Sequence, residues 1–329
     1  MDNIQDNMAR VVGHQWAVNL LDRQQQSGQI PQALLLAGPL YVGKGTLGRY
    51  FAQSLNCQGS PKPCGQCLSC RKIVSGNHPD VRIYDQEDET LKIDQIRELQ
   101  QELSLSPYES PYRVALLCNF ERATTSAANA LLKTLEEPAE QVVLILTATD
   151  PSKLLPTIVS RCQILTLRPL PRPEILAALQ TRWQTSPEQA ELLAQLAAGR
   201  LGWAVRALAD ETFLERRQQR LNDLLKLLRM SRAERLTYAH QLGRDPSVIR
   251  ETLTLWLTIW RDLLLLQSGS QTKLVNLDWQ DTLQSVASRL SLTQITAMVS
   301  RLRAALLNLE RNVNPRLNLE VVLLKLPMG

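Results

Sequence analysis

Ala33-Leu34-Leu35-Leu36-Ala37-Gly38-Pro39-Leu40-Tyr41-Val42-Gly43-Lys44-Gly45-Thr46-Leu47 decides how the chain is read. Its first five residues are a continuous apolar run, the pattern of a strand buried on both faces. From Leu47 onward, Leu47, Phe51 and Leu55 share one face of a helix. Strand, glycine-bearing turn and helix, in that order, form a phosphate-binding loop. The glycines let backbone N–H groups point inward, and Lys44 would meet a phosphate as a point charge. The position after the lysine should carry a Ser or Thr hydroxyl for Mg²⁺, but here it is Gly45. Thr46 comes one residue late and, on a helix, points about 100° away. The loop has the shape of a nucleotide site and lacks its metal ligand.

Around this loop the chain reads as an alternation of strands and helices. Val81–Tyr84, Arg113–Cys118, Val142–Leu146 and Gln163–Leu167 are short apolar runs, and the stripe Ile93, Ile96, Leu99 and Leu103 has helical spacing. Thr124 or Thr125 caps a further helix that stops at Pro138. Five strands separated by helices predict a doubly wound parallel sheet, an α/β domain. Pro169, Pro171 and Pro173 mark a linker, beyond which the pattern is helical throughout. The stripe Leu253, Trp256, Leu257, Trp260 and Leu264 reads as helix core, in preference to a platform for stacking bases. The expected division is a nucleotide-fold domain over 1–168, a small helical unit over 169–209 and a helical domain over 210–329.

In an ATPase of this loop class, acidic residues at the end of the third strand orient Mg²⁺ and activate water. Here the strand ends Cys118-Asn119-Phe120-Glu121, with no carboxylate at either of the first two positions. Glu121, the nearest acid, reads as a solvated loop residue. Val11-Val12-Gly13-His14-Gln15, ahead of the first strand, fits equally a contact to a nucleotide base and a plain glycine turn before a surface helix.

Four of the six cysteines cluster as Cys57, Cys64, Cys67 and Cys70, a C-x6-C-x2-C-x2-C spacing with Gly59, Pro61, Pro63 and Gly65 between them. Cys118 and Cys162 stand alone in apolar runs and read as core residues. The clustered spacing favours a closed structural zinc site over an iron–sulfur cluster or unligated thiols. Four protein ligands leave no position for a catalytic water, and Lys62, Arg71 and Lys72 offset the negative charge of the thiolates. The 329 residues suffice for two or three domains, the net charge of +5 is mild, and 44% hydrophobic content is that of an ordinary globular protein. Met1–Asp6 is polar and carries no signal-peptide pattern, and Arg261 and Asp262 interrupt the most apolar helix, so a cytoplasmic protein without a membrane span is expected.

These residues resemble one family closely, the AAA+ clamp-loader subunits of bacterial DNA polymerase III, and within it the delta-prime type. The resemblance is carried by Gly38 to Lys44, the four-cysteine insert after the first helix, Ala128-Asn129-Ala130-Leu131-Leu132-Lys133-Thr134-Leu135-Glu136-Glu137-Pro138, Ala148-Thr149-Asp150-Pro151 and Ser160-Arg161-Cys162. It covers residues 8–210 strongly, and Asn312 to Leu324 resembles the family's last collar helix. It implies an AAA+ domain with a zinc module, a helical lid and a helical collar that joins subunits in a ring. It also implies gamma/tau-type and delta-type subunits, the sliding clamp and primed DNA as partners, within the polymerase III holoenzyme. In the family the Ser-Arg-Cys arginine, here Arg161, reaches a neighbour's ATP; such fingers contribute about 10³–10⁵ in rate in well-studied NTPases.

The departures are those of delta-prime. Gly45 replaces the loop hydroxyl, Cys118-Asn119 replaces the Asp-Glu pair, and Gly202 falls near the expected position of the phosphate-sensing lid arginine, with Arg200 and Arg206 offset from it. The resemblance therefore implies no ATPase activity in this chain, with Arg161 given to a neighbour. Gly38, Gly43, Lys44, Gly45, Thr46 and Thr149 form a degenerate nucleotide site at which binding stays open. The alternatives are an active gamma/tau-like ATPase subunit using Lys44, Thr46 and Glu121, and a zinc-dependent DNA-binding module.

Overall fold

The computed structural model describes residues 11–85, 90–210, 212–243, 245–310 and 313–327. Met1–Asp6, Arg311 and Asn312, which entered the sequence reading, lie outside them. The chain divides into two compact units, residues 1–205 and 206–329.

The first unit runs α1 (Gln15–Gln26), β1 (Ala33–Ala37), α2 (Lys44–Asn56), α3 (Leu68–Val74), β2 (Val81–Tyr84), α4 (Ile93–Leu103), β3 (Arg113–Leu117), α5 (Thr125–Glu136), β4 (Val142–Ala148), α6 (Pro156–Val159) and β5 (Gln163–Thr166). Helices α7 (Arg172–Arg182), α8 (Pro187–Leu196) and α9 (Leu201–Ala209) follow. The strands form one parallel sheet in the order β2-β3-β4-β1-β5. Leu35 lies opposite Leu146 of β4 on one side and Ile164 of β5 on the other. Every residue of β1 and β4 is buried, because helices cover both faces. Leu34, Leu36, Leu47, Phe51, Val114 and Ile145 belong to the core on one face, and Leu35, Leu99, Leu117, Leu131, Leu144 and Leu146 to that on the other. Strand order reverses at β1, so the turn leaving its carboxyl end sits at the switch point where doubly wound sheets bind ligands.

Helix α1 buries Ala17, Val18 and Leu21 on one face and leaves Trp16 exposed on the other, as an amphipathic surface helix does. One local expectation changes. The proline-marked stretch before α7 is no free linker. Leu170 is buried, its N–H bonds to Gly199 O at 2.8 Å, and Gly199 is so close to Pro169 that an added Cβ would lie 2.4 Å from it.

The second unit is helical: α10 (Phe213–Leu227), α11 (Arg232–Leu242), α12 (Pro246–Gln267), α13 (Gln280–Ala287), α14 (Leu292–Glu310) and α15 (Pro315–Leu324). Leu253, Trp256 and Trp260 of α12 are fully buried, and Leu257 and Leu264 pack at the edge of the same core, as the stripe predicts. Two buried charges organise the ends of helices. Asp262 accepts the N–H groups of Val275 and Asn276, holding the turn after α12. Arg235 is 1% exposed and donates to Leu227 O and Leu228 O at the end of α10 and to Leu323 O, Leu326 O and Pro327 O at the end of α15. One cation thus satisfies the orphan carbonyls of two helix C-termini and meets the negative ends of both dipoles. Among the described residues no helix is long and apolar enough to cross a membrane.

Candidate functional site

The turn between β1 and α2 closes on itself. Gly38 has φ 144°, and its N–H bonds to Ala148 O at 3.1 Å. An added Cβ would lie 2.4 Å from Leu167 O, so only glycine fits there. Gly43 caps α2 with φ 109°. Lys44 folds back into the turn: its Nζ donates to Gly38 O at 2.6 Å and Pro39 O at 2.8 Å. The side chain is buried, and burial lowers its pKa to about 8, partly offset by Glu121 and Cys118. A phosphate would have to take this ammonium from two carbonyls that already hold it.

Two further elements clamp the turn. His14 is buried, and its Nε2 donates to Val42 O at 3.0 Å. The Gly202 N–H, at the start of α9, donates to Tyr41 O at 2.9 Å. A Cβ at Gly202 would lie 2.9 Å from the same oxygen, so the position near which the family's lid arginine falls here holds backbone against backbone. Arg200 does not replace it; its Nε donates to Ala197 O at 3.0 Å and burial lowers its pKa.

The acidic side of the site is rebuilt. Cys118 lies beside Gly45, 3.7 Å from where a Cβ there would stand, and burial pushes its thiol up to about 12. Asn119 takes a left-handed φ of 51°, and its N–H bonds to Thr147 Oγ1. Asp85, paired with Arg49, is the carboxylate that acts on the Cys118 thiol. Glu121 is not a solvated loop residue. It is half-buried, and its Oε1 accepts the Thr149 N–H at 3.0 Å. The reason is the sheet order, which sets the ends of β3 and β4 side by side, where an N–H shielded from water needs an acceptor. Glu121 Oε2 and Thr149 Oγ1 are buried without a hydrogen-bond partner among the described residues. Thr46, half-buried in the first turn of α2, has no carboxylate beside it at either position after β3.

Beyond the far end of α2, the four clustered cysteines converge as the spacing predicts. The sulfurs of Cys57, Cys64, Cys67 and Cys70 all lie within 4.8 Å of one another, with Cys57 and Cys67 4.0 Å apart. A tetrahedral ion with metal–sulfur bonds of about 2.3 Å needs sulfurs about 3.8 Å apart, so the set fits a metal. The surrounding backbone fits as well. The N–H groups of Gly59 and Cys64 point at Cys57 Sγ, that of Cys67 at Cys64 Sγ and that of Cys70 at Cys67 Sγ, each within 3.4 Å. The Cys67 N–H holds the Cys64 thiol below its ordinary range, while burial raises Cys70. A Cβ on Gly59 would lie 2.7 Å from Cys64 Sγ and fill the cradle.

The cluster is tied to the sheet through His78, which was not singled out by sequence. Its Nδ1 accepts the Asp80 N–H, so the proton sits on Nε2, facing the hydroxyls of Ser69 at 3.0 Å and Ser110 at 3.1 Å. Asp80 is buried and accepts the N–H groups of Tyr108, Glu109 and Ser110.

Arg161 follows α6, two residues ahead of β5. Its Nη1 donates to Thr157 O at 2.9 Å, and its Nη2 lies 2.8 Å from Glu136 Oε1, at the end of α5. Its side chain stays partly open to solvent. Cys162 beside it is half-buried at the edge of the core, and burial raises its thiol to about 11.

Residues 13–171 match the family described as DNA polymerase III, delta subunit, and residues 211–327 match its C-terminal counterpart. The chain is similar to DNA polymerase III subunit delta' of Bacillus subtilis, with 30% identity over 320 residues, which is 95% of each chain. It is also similar to subunit delta' of Pseudomonas aeruginosa, with 34% identity over 221 residues, covering 65% of this chain and 66% of that one. Among solved structures, a DNA polymerase III gamma subunit-related protein from Thermotoga maritima aligns over 92% of this chain and 97% of its own, with 20% identity and a TM-score of 0.42.

Proposed function

We propose, because this chain belongs to the DNA polymerase III delta subunit family and is of its delta-prime type, that it is a non-hydrolysing clamp-loader subunit. In this reading it gives Arg161 in trans to the ATP of a neighbouring gamma/tau-type subunit while the ring loads a sliding clamp on primed DNA. The observation that carries it is Lys44 bound to Gly38 O and Pro39 O in a site with no carboxylate at 118 or 119. Hydrolysis needs a metal held by a hydroxyl and a carboxylate and a base for the water. Gly45, Cys118 and Asn119 supply none of these, and Glu121 has one oxygen committed to the Thr149 N–H. Gly38, Gly43, Lys44, Gly45, Thr46 and Thr149 are then a relic of the nucleotide site whose role is to hold the turn rigid.

The subunit would consist of an AAA+ domain over 1–168, a helical lid over 169–209 and a collar over 210–329, and would work in the cytoplasm with delta-type and gamma/tau-type partners. Cys57, Cys64, Cys67 and Cys70 would hold one structural Zn²⁺, which supplies a rigid cross-link and no open coordination position. The alternative, an active gamma/tau-like ATPase, would use Lys44, Thr46 and Glu121.

ATP hydrolysis decides between them. The isolated chain is expected to show no turnover above background. Mixed with a tau- or gamma-type subunit, it is expected to raise the rate, and Arg161→Ala is expected to remove that increase. Turnover by the isolated chain that vanishes in Lys44→Ala would establish the alternative.

A further inference from the structure

The finger, in the proposed reading, must leave its own chain to reach a neighbour, and the structure finds it folded back. Nη1 is on Thr157 O, one helical turn earlier, and 3.5 Å from Ser160 Oγ, while Nη2 is on Glu136. A guanidinium recognises phosphate with two parallel N–H groups, and both terminal nitrogens of Arg161 are already engaged. Glu136 is the last residue of α5, where a carboxylate meets the unfavourable end of the helix dipole, and Arg161 compensates that charge. Both partners are partly open to solvent, with side chains 35% and 51% exposed, so the pair can break without opening the core.

We propose that Glu136 is a latch that retracts Arg161 until a neighbour presents a polyphosphate. The inference rests on the arginine-donor reading and concerns the regulation of that same residue. A single carboxylate at the surface holds an arginine weakly, shifting the balance between retracted and extended forms by about two- to five-fold. A triphosphate offers more charge and several oxygens in bidentate geometry, so it outcompetes the latch. A neighbour with an empty site offers nothing to exchange. The finger therefore extends when the adjacent site is loaded, and the exchange breaks no covalent bond.

The test is the rate of ATP turnover in a complex assembled with a tau- or gamma-type subunit of the same organism, measured while the concentration of this chain is varied. Glu136→Gln is expected to lower the half-maximal concentration two- to five-fold and leave the maximal rate unchanged. Glu137→Gln, which removes the neighbouring charge, is expected to leave the half-maximal concentration where it was. In the Arg161→Ala background, adding Glu136→Gln is expected to change nothing. If Arg161→Ala leaves the stimulation intact, the donor reading itself fails. If Arg161→Ala abolishes stimulation while Glu136→Gln leaves the half-point in place, raises it or lowers the maximal rate, the latch is overturned and the donor reading stands. An equal shift from Glu137→Gln also overturns the latch.

Discussion

The phosphate turn and the cysteine module hang from opposite ends of one helix. Gly43 caps α2 at its start and Cys57 caps it at its finish. Each gathers polar groups around a point that a ligand could fill. In the turn the chain fills the point itself: the lysine that would bind phosphate binds Gly38 O and Pro39 O, and His14 and Gly202 tie the backbone shut. In the module four sulfurs converge with no protein cation among them, and the backbone around them points N–H groups inward. A site that keeps its shape while its ligand groups turn inward becomes a structural tie. A site that keeps its ligand groups turned toward a common point stays a binding site, whatever happens to the catalysis beside it.

The largest effect expected is at the module. Structural zinc in small cysteine sites is worth about 10–16 kcal/mol of apparent binding free energy, much of it folding energy. Cys70→Ser is expected to reduce bound zinc from one per chain to a trace, by elemental analysis, and to lower the thermal midpoint of the first unit. Full stability in Cys70→Ser would break the comparison, because the module would then not need its ligand.

Next is the glycine of the turn. Gly38→Ala adds a Cβ at φ 144°, facing a carbonyl oxygen 2.4 Å away, and is expected to cost about 2–4 kcal/mol in urea unfolding. A neutral result would mean that the turn is loose enough to open.

The pH dependence of Lys44 is a subtler test. Its folded pKa is about 8 against an ordinary 10.5, so between those values the unfolded chain binds more protons than the folded one. Stability contributed by this group is therefore lowest below pH 8, rises between pH 8 and 10.5 and is flat above, by roughly 3 kcal/mol in all. Lys44→Met is expected to lose that rise in urea titrations, and a rise that persists in Lys44→Met would assign it to another group.

The smallest effect belongs to the rim of the module, where Lys72 meets Glu109 at 2.8 Å on the surface. Lys72→Ala is expected to change stability by less than about 1 kcal/mol and zinc content not at all. A larger loss would show that the cation serves the thiolates and not the salt bridge.

Much of this was legible in the sequence. The five strands fall where the apolar runs put them, and Thr124 caps α5 through the Ala127 N–H. Those features follow from local periodicity and capping, which are written in consecutive residues. The cysteine cluster was legible because its four members lie within one short stretch. What decides the state of the phosphate site was not legible, because its contacts join distant stretches: His14 to Val42, Gly202 to Tyr41, Thr149 to Glu121 and Arg161 to Glu136. Each depends on strand order and on which loops that order brings together. Glu121 shows the cost: judged by its residue type it belonged in solvent, and the neighbouring strand end gave it a donor to satisfy.

Arg235 carries a consequence for how the chain is made. Three of its five carbonyl acceptors belong to residues 323–327, so this guanidinium, once buried, has its full set of partners only when those residues are in place. A buried charge short of acceptors is costly, and a ribosome delivers residues at about 5–20 per second, N-terminal units first. The sheet unit can therefore fold while the helical unit is still being synthesised. The helical unit reaches its final packing only after Pro327 has emerged, which separates the two units in time during synthesis.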